Sequence, residues 1–147
     1  MSVDHYVFYL PQSQQMSCWA ASTAMMLGWR NNQCYSEEAV LDEFRAFGTD
    51  GAGEDECRKL ASTLGMEVLP EACRTPEGWE QVLTRGPVMV GIPGHFIVVA
   101  GIQGDGQAAT TQMHVLDPAR GESWWSYDQV EQQYELDADF GYDLLQF

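Results

Sequence analysis

Cys18 stands between the polar run PQSQQ (11–15) and the residues Trp19, Ala20 and Ala21, where an apolar pattern of helical spacing begins. A thiol in the first turn of a helix meets backbone N–H groups that have no intrahelical partner, together with the positive end of the macrodipole. Both favour the thiolate, the nucleophilic form of cysteine. Gln12 lies six residues upstream, near enough for a polar turn to bring its amide beside the sulfur. There it would donate to an oxyanion, with the backbone N–H of Cys18 as second donor.

A nucleophile of this kind needs a base, and the base needs a group that orients it. His95 opens the run GHFIVVAGI after a Pro-Gly pair, which leaves it at a strand edge. Asp117, in HVLDPARG, follows another strand and is held in a turn by Pro118. If the two strands are neighbours, imidazole and carboxylate meet. The other histidines, His5 and His114, read as structural, and Trp19, Trp124 and Trp125 as packing residues with a possible place in a cleft wall.

These stretches together resemble the papain-like cysteine peptidases. Q-x5-C-W-A-A, GPVMVGI, GHFIVVAGI and VLDP-x-x-G lie at 12–22, 86–102 and 115–121, in the family's order. The resemblance is strongest to the compact bacterial branch of secreted effector proteases and bacteriocin-exporter leader peptidases. It implies Cys18 as nucleophile, His95 as general base and then acid, Asp117 as orienter and Gln12 in the oxyanion hole. Trp19 is a weaker cleft residue. The family's spacing selects Gln12 over Gln14 and Gln15. Papain itself uses Asn as orienter, so Asp117 follows the bacterial branch. No pro-segment or transporter domain is visible, as in a mature catalytic unit. No cofactor or metal is implied.

The elements that must position these residues follow from periodicity. After Cys18, the residues Trp19, Ala20, Thr23, Met26 and Leu27 recur at helical spacing. A second helix starts at the cap Ser36, turns Val40, Leu41, Phe44 and Phe47 inward and stops at Gly48. EDECRKLASTLG is a third, ending at Gly65, and the stretch Thr75 to Gly86 holds a fourth with Pro76 in its first turn. The second half changes period: PVMVGI, HFIVVAGIQ and MHVLD read as strands, with GDGQ as a turn between the last two. SYDQVEQQY is a short helix with a Ser126–Gln129 capping box, and FGYDLLQF closes the sheet. Helices first and strands afterwards predict a single α+β domain over 1–147, an N-terminal helical half packed on an antiparallel sheet.

Composition narrows the function classes. Seven basic residues oppose twenty-two acidic ones, for a formal charge of −15. Phosphate contacts need Lys and Arg clusters, so nucleic acid and anionic membranes are disfavoured partners. No apolar run reaches the ~20 residues of a membrane span. The N-terminus carries no basic-then-apolar Sec signal. The protein is therefore expected either to stay in the cytoplasm of its producer or to leave by a signal-independent secretion system. Lys59 is the only lysine, which fits a GC-rich genome or a protein acting outside the cell that made it. Cys34, Cys57 and Cys73 show no metal spacing and are treated as free thiols. The acidic stretch GAGEDE misses the EF-hand pattern and reads as a solvated loop.

The resulting expectation is a thiol hydrolase acting on a peptide or isopeptide bond of a protein substrate. Delivery as an effector or toxin would call for a cognate immunity protein in the producer. A deamidase, amidase or transglutaminase on the same residues is the nearest alternative, and a binding module on a decayed peptidase fold the most distant.

Overall fold

The computed structural model describes residues 1–44, 54–69, 75–92, 94–134, 136 and 143–147. Among the described residues, five helices and seven strands follow in chain order. They are β1 Ser2–Asp4, α1 Cys18–Asn31, α2 Glu37–Glu43, α3 Glu54–Leu64, β2 Glu67–Leu69, α4 Pro76–Leu83, β3 Val88–Ile92, β4 His95–Gln103, β5 Gln112–Asp117, β6 Gly121–Ser126, α5 Tyr127–Tyr134 and β7 Asp143–Gln146. Phe47, Gly48 and Cys73 lie outside the described residues, as does the first half of GAGEDE, whose second half opens α3.

Every strand pair is antiparallel, in the order β2-β7-β3-β4-β5-β6, with β1 added beside β4. The α+β expectation holds, and FGYDLLQF contributes β7, deep in the sheet between β2 and β3. Three-residue strands β1 and β2 are too short to carry a period and were not foreseen. The GDGQ turn belongs to a longer connection, 104–111, in which Asp105 Oδ1 accepts from Gln107 N and Thr110 Oγ1.

The unbroken apolar run of β4 has a simple cause: both faces of the sheet are covered. Phe96, Val98 and Ala100 pack with Trp19, Met25 and Met26 of α1 on one face. Ile97 and Val99 pack with Trp79 and Leu83 of α4 and with Val130 of α5 on the other. The sheet therefore sits between helices of both halves. Residues 18–27 of α1 are all buried, which accounts for its small Ala20, Ala21 and Ala24 on the sides where neighbours approach closely. At Gly101 a Cβ would meet Asp4 Oδ1 at 2.5 Å and Val3 O at 2.6 Å. Only a glycine there lets β1 lie against β4.

The caps follow the expected chemistry. Ser36 Oγ accepts from Ala39 N, Thr75 Oγ1 from Gly78 N, and Ser126 and Gln129 exchange two bonds as a capping box. Among the described residues no helix is long and apolar enough to cross a membrane.

Candidate active site

Cys18 is the first residue of α1, after the N-cap Ser17. The Ser17 side chain does not cap the helix; it turns back to the preceding loop, bonding Gln14 N and O at 3.1 and 3.0 Å. No acidic residue occupies the first turn. The N–H groups and positive dipole end at Cys18 thus meet no side-chain oxygen of the cap. Cys18 itself is 6% exposed.

His95 is the first residue of β4, placed by the β3–β4 hairpin in which Gly94 takes φ +76°. Asp117 is the last residue of β5. Val99 and Val115 are paired across β4 and β5, so alternation puts His95 and Asp117 on one face at neighbouring strand ends. His95 Nε2 lies 2.7 Å from Asp117 Oδ1. With Nε2 so used, Nδ1 is the ring nitrogen that remains, and Cys18 is among the groups that act on the imidazole. Burial pulls the imidazole pKa down, but the hydrogen bonds and charges of Asp117 and Cys18 outweigh it and hold His95 at about 9.

The Asp117 side chain is 1% exposed, yet its carboxylate is fully supplied with donors. Ala119 N bonds Oδ1 at 2.9 Å and the Tyr134 hydroxyl bonds Oδ2 at 2.7 Å. Burial works to raise the pKa of Asp117; bonds from His95, Tyr134 and Ala119 overcome it and leave the group below its ordinary value. Sequence reasoning missed Tyr134, which it placed only as the end of a helix. Seventeen residues separate it from Asp117, and no motif links the two.

The loop before Cys18 is tied to this turn from the other side. Tyr9 donates to the carbonyl of Asp117 at 2.8 Å, and Gln12 N to that of Pro118 at 3.0 Å. Glu37, 8% exposed at the start of α2, accepts from Ser13 N and Ser13 Oγ at 2.8 and 2.6 Å. No sequence motif singles it out. A groove of about 470 Å³ runs between this loop and the turn 118–121, with Gln12, Gln14, Pro118 and Arg120 in its walls.

Gln12 is engaged within its own turn, and the expectation for Trp19 is corrected. Gln12 does not present a free amide: Nε2 donates to Gln14 O at 2.8 Å and Gln15 O at 2.9 Å, bracing its own turn. Trp19 has 0% exposure and belongs to the core, so it lines no cleft.

His5 Nε2 lies 2.6 Å from Leu83 O, and His114 spans Asp4 and Glu122 at 2.7 and 2.8 Å while stacking on Trp124. Both are tied into the framework. Cys34 is an exposed free thiol and Cys18 a buried one. Among the described residues no group of His, Cys, Asp and Glu converges as metal ligands would.

Comparisons with known proteins bear on the family and the fold. The family model for the papain-like cysteine protease AvrRpt2 matches residues 2–135. Among solved structures, the chain is similar to the double glycine motif protease of an AMS/PCAT transporter, crystallised in complex with the leader peptide. The TM-score is 0.65 at 22% identity, covering 98% of this chain and 94% of that one. It is similar as well to the peptidase domain of Streptococcus ComA, a bifunctional ABC transporter of quorum sensing. There the TM-score is 0.67 at 21% identity, over 97% and 98% of the two chains. UfSP from C. elegans matches at TM-score 0.60 and 13% identity, over 99% of this chain and 34% of that one. No curated protein sequence matches significantly.

Proposed function

The chain belongs to the papain-like cysteine protease family of AvrRpt2, and on that premise we propose that Cys18, His95 and Asp117 form its catalytic triad and cleave a peptide or isopeptide bond. The observation that carries this reading is the 2.7 Å contact of His95 with the buried Asp117, with Cys18 at the start of α1 among the groups acting on the same imidazole.

The chemistry follows from those contacts. An imidazole held at about 9 keeps its proton at neutral pH and is the proposed acid for the leaving group. The sulfur attacks the substrate carbonyl carbon, and the carbonyl oxygen takes up the electron pair. The backbone N–H of Cys18 stabilises that oxyanion. Gln12 joins it by releasing one of its two carbonyl bonds, because a charged oxygen is the stronger acceptor. The carbonyl it leaves lies in an exposed loop, where water replaces the lost bond. His95 Nδ1 gives its proton to the leaving amine as the C–N bond breaks, leaving a thioester on Cys18. The neutral imidazole then takes a proton from water, whose hydroxide attacks the thioester, and the acid product leaves with the thiolate and imidazolium restored. Asp117 keeps Nε2 protonated and Nδ1 facing the sulfur throughout.

A peptide in the groove beside Gln12 and Pro118 is the proposed substrate form, in keeping with a structural neighbour crystallised with its leader peptide. An effector or toxin delivered to another cell is the proposed setting, with which the near-absence of lysine and the charge of −15 are compatible. Its producer would then hold an immunity protein that covers the cleft.

The test is a peptide library digested by wild type and by Cys18→Ala, with new termini read by mass spectrometry. Cleavages present only with wild type are expected. The same cleavages from both proteins would end the proposal.

A further inference from the structure

The two oxygens of Asp117 are held from different elements. His95 and Ala119 N take Oδ1 from β4 and the β5–β6 turn, while among the described residues the Tyr134 hydroxyl alone takes Oδ2, at 2.7 Å. Tyr134 is the last residue of α5 and 5% exposed. Its ring stacks on Trp125 with centroids 6.4 Å apart.

We propose that Tyr134 is the positioning residue of the triad: its hydroxyl fixes the rotation of the Asp117 carboxylate, and through it the aim of the His95 imidazole at Cys18. This rests on the triad reading above and extends it to a residue that touches neither substrate nor sulfur. A buried carboxylate oxygen without a donor is costly. Bereft of Tyr134, the group would turn to share Oδ1 and its donors, and the imidazole would lose its fixed partner. Burial and the Asp117 carboxylate both raise the pKa of Tyr134 above that of an ordinary phenol. It therefore remains a donor across the working pH range. The stacked Trp125 holds the ring, so the hydroxyl has one place to point.

Tyr134→Phe removes the hydroxyl and keeps the ring. Two readouts separate positioning from packing. One is the low-field proton NMR signal of the His95 Nε2–H on Asp117, which shifts and broadens in Tyr134→Phe. The other is alkylation of Cys18 by iodoacetamide at pH 7, followed on the Cys18 peptide, which slows about tenfold to a hundredfold. An unshifted signal and a wild-type alkylation rate overturn the proposal. If Tyr134→Phe does not fold, 3-fluorotyrosine installed at position 134 keeps ring and hydroxyl while changing donor strength. It must then move the His95 signal, and an unmoved signal overturns the proposal equally. His95→Ala separates the two levels of inference. Slow alkylation in His95→Ala with normal alkylation in Tyr134→Phe refutes only the role of Tyr134. Normal alkylation in His95→Ala refutes the triad itself, and this proposal with it.

Discussion

Glu37 and Ser13 fasten the loop before the thiol to the second helix through two hydrogen bonds, at 2.8 and 2.6 Å. The residue is only 8% exposed, so the loop that carries Gln12 is anchored by a largely buried group. Glu37→Gln keeps the shape and one acceptor but removes the charge. Such charge-assisted bonds contribute about 1.5–3 kcal/mol. We expect a loss of about 1–2 kcal/mol in urea unfolding and a several-fold fall in activity. Unchanged stability would show that the loop is held by Gln12 and Ser17 alone.

Asp117→Asn should be milder than His95→Ala. Asn still offers Oδ1 to His95 Nε2–H, and its amide can donate to the Tyr134 oxygen. The lost charge lowers the His95 pKa from about 9, so the alkaline limb of activity moves toward neutral pH. A limb that stays near 9 in the variant would assign it to another group.

The same pair makes stability depend on pH. The folded His95 pKa lies above its ordinary value of 6.5, so its contribution is complete below about 6.5 and is lost as pH rises through about 9. Asp117 is shifted down; its contribution is present above the ordinary carboxylate range and is lost as pH falls through the lowered folded value. Unfolding free energies of wild type minus Asp117→Asn should therefore peak between those limits. A flat difference from pH 4 to pH 10 would contradict the coupling.

Gln12→Ala tests the exchange at the oxyanion. Removing a free donor costs about 10²–10³ in kcat. Because Gln12 must first give up a carbonyl bond, we expect the lower end, about 10², with KM little changed. Gln14→Ala and Gln15→Ala keep their backbone carbonyls and should be near neutral. Equal losses in all three variants would mean that loop shape, not donation, is what Gln12 supplies.

What could be read from the residues alone was the chemistry with local signals. Cys18 at a helix start, His95 after Pro-Gly at a strand start and Asp117 before proline each sit at a boundary that neighbouring residues mark. The nine-residue strand at His95–Gln103 was legible because β-branched and apolar residues run unbroken between glycines. Glu37 and Tyr134 were not, because nothing local distinguishes a carboxylate at a helix start, or a tyrosine at a helix end, that happens to meet a distant loop. The direction of the Gln12 amide depends on where two carbonyls of its own turn fall, which no spacing encodes. Trp19 was misread in part because an aromatic beside a nucleophile suits a cleft as well as a core. Full burial of α1 on the sheet decides for the core.

The central claim is that His95 activates Cys18, and the pH profile of Cys18 alkylation by iodoacetamide, in wild type and His95→Ala, measures that activation without a substrate. Cys34, exposed and free, serves as the internal ordinary thiol. The account predicts rapid alkylation of Cys18 in wild type from mildly acidic to neutral pH, where Cys34 reacts slowly, and a His95→Ala profile in which the two cysteines rise together at alkaline pH. Superimposable Cys18 profiles in wild type and His95→Ala would contradict it.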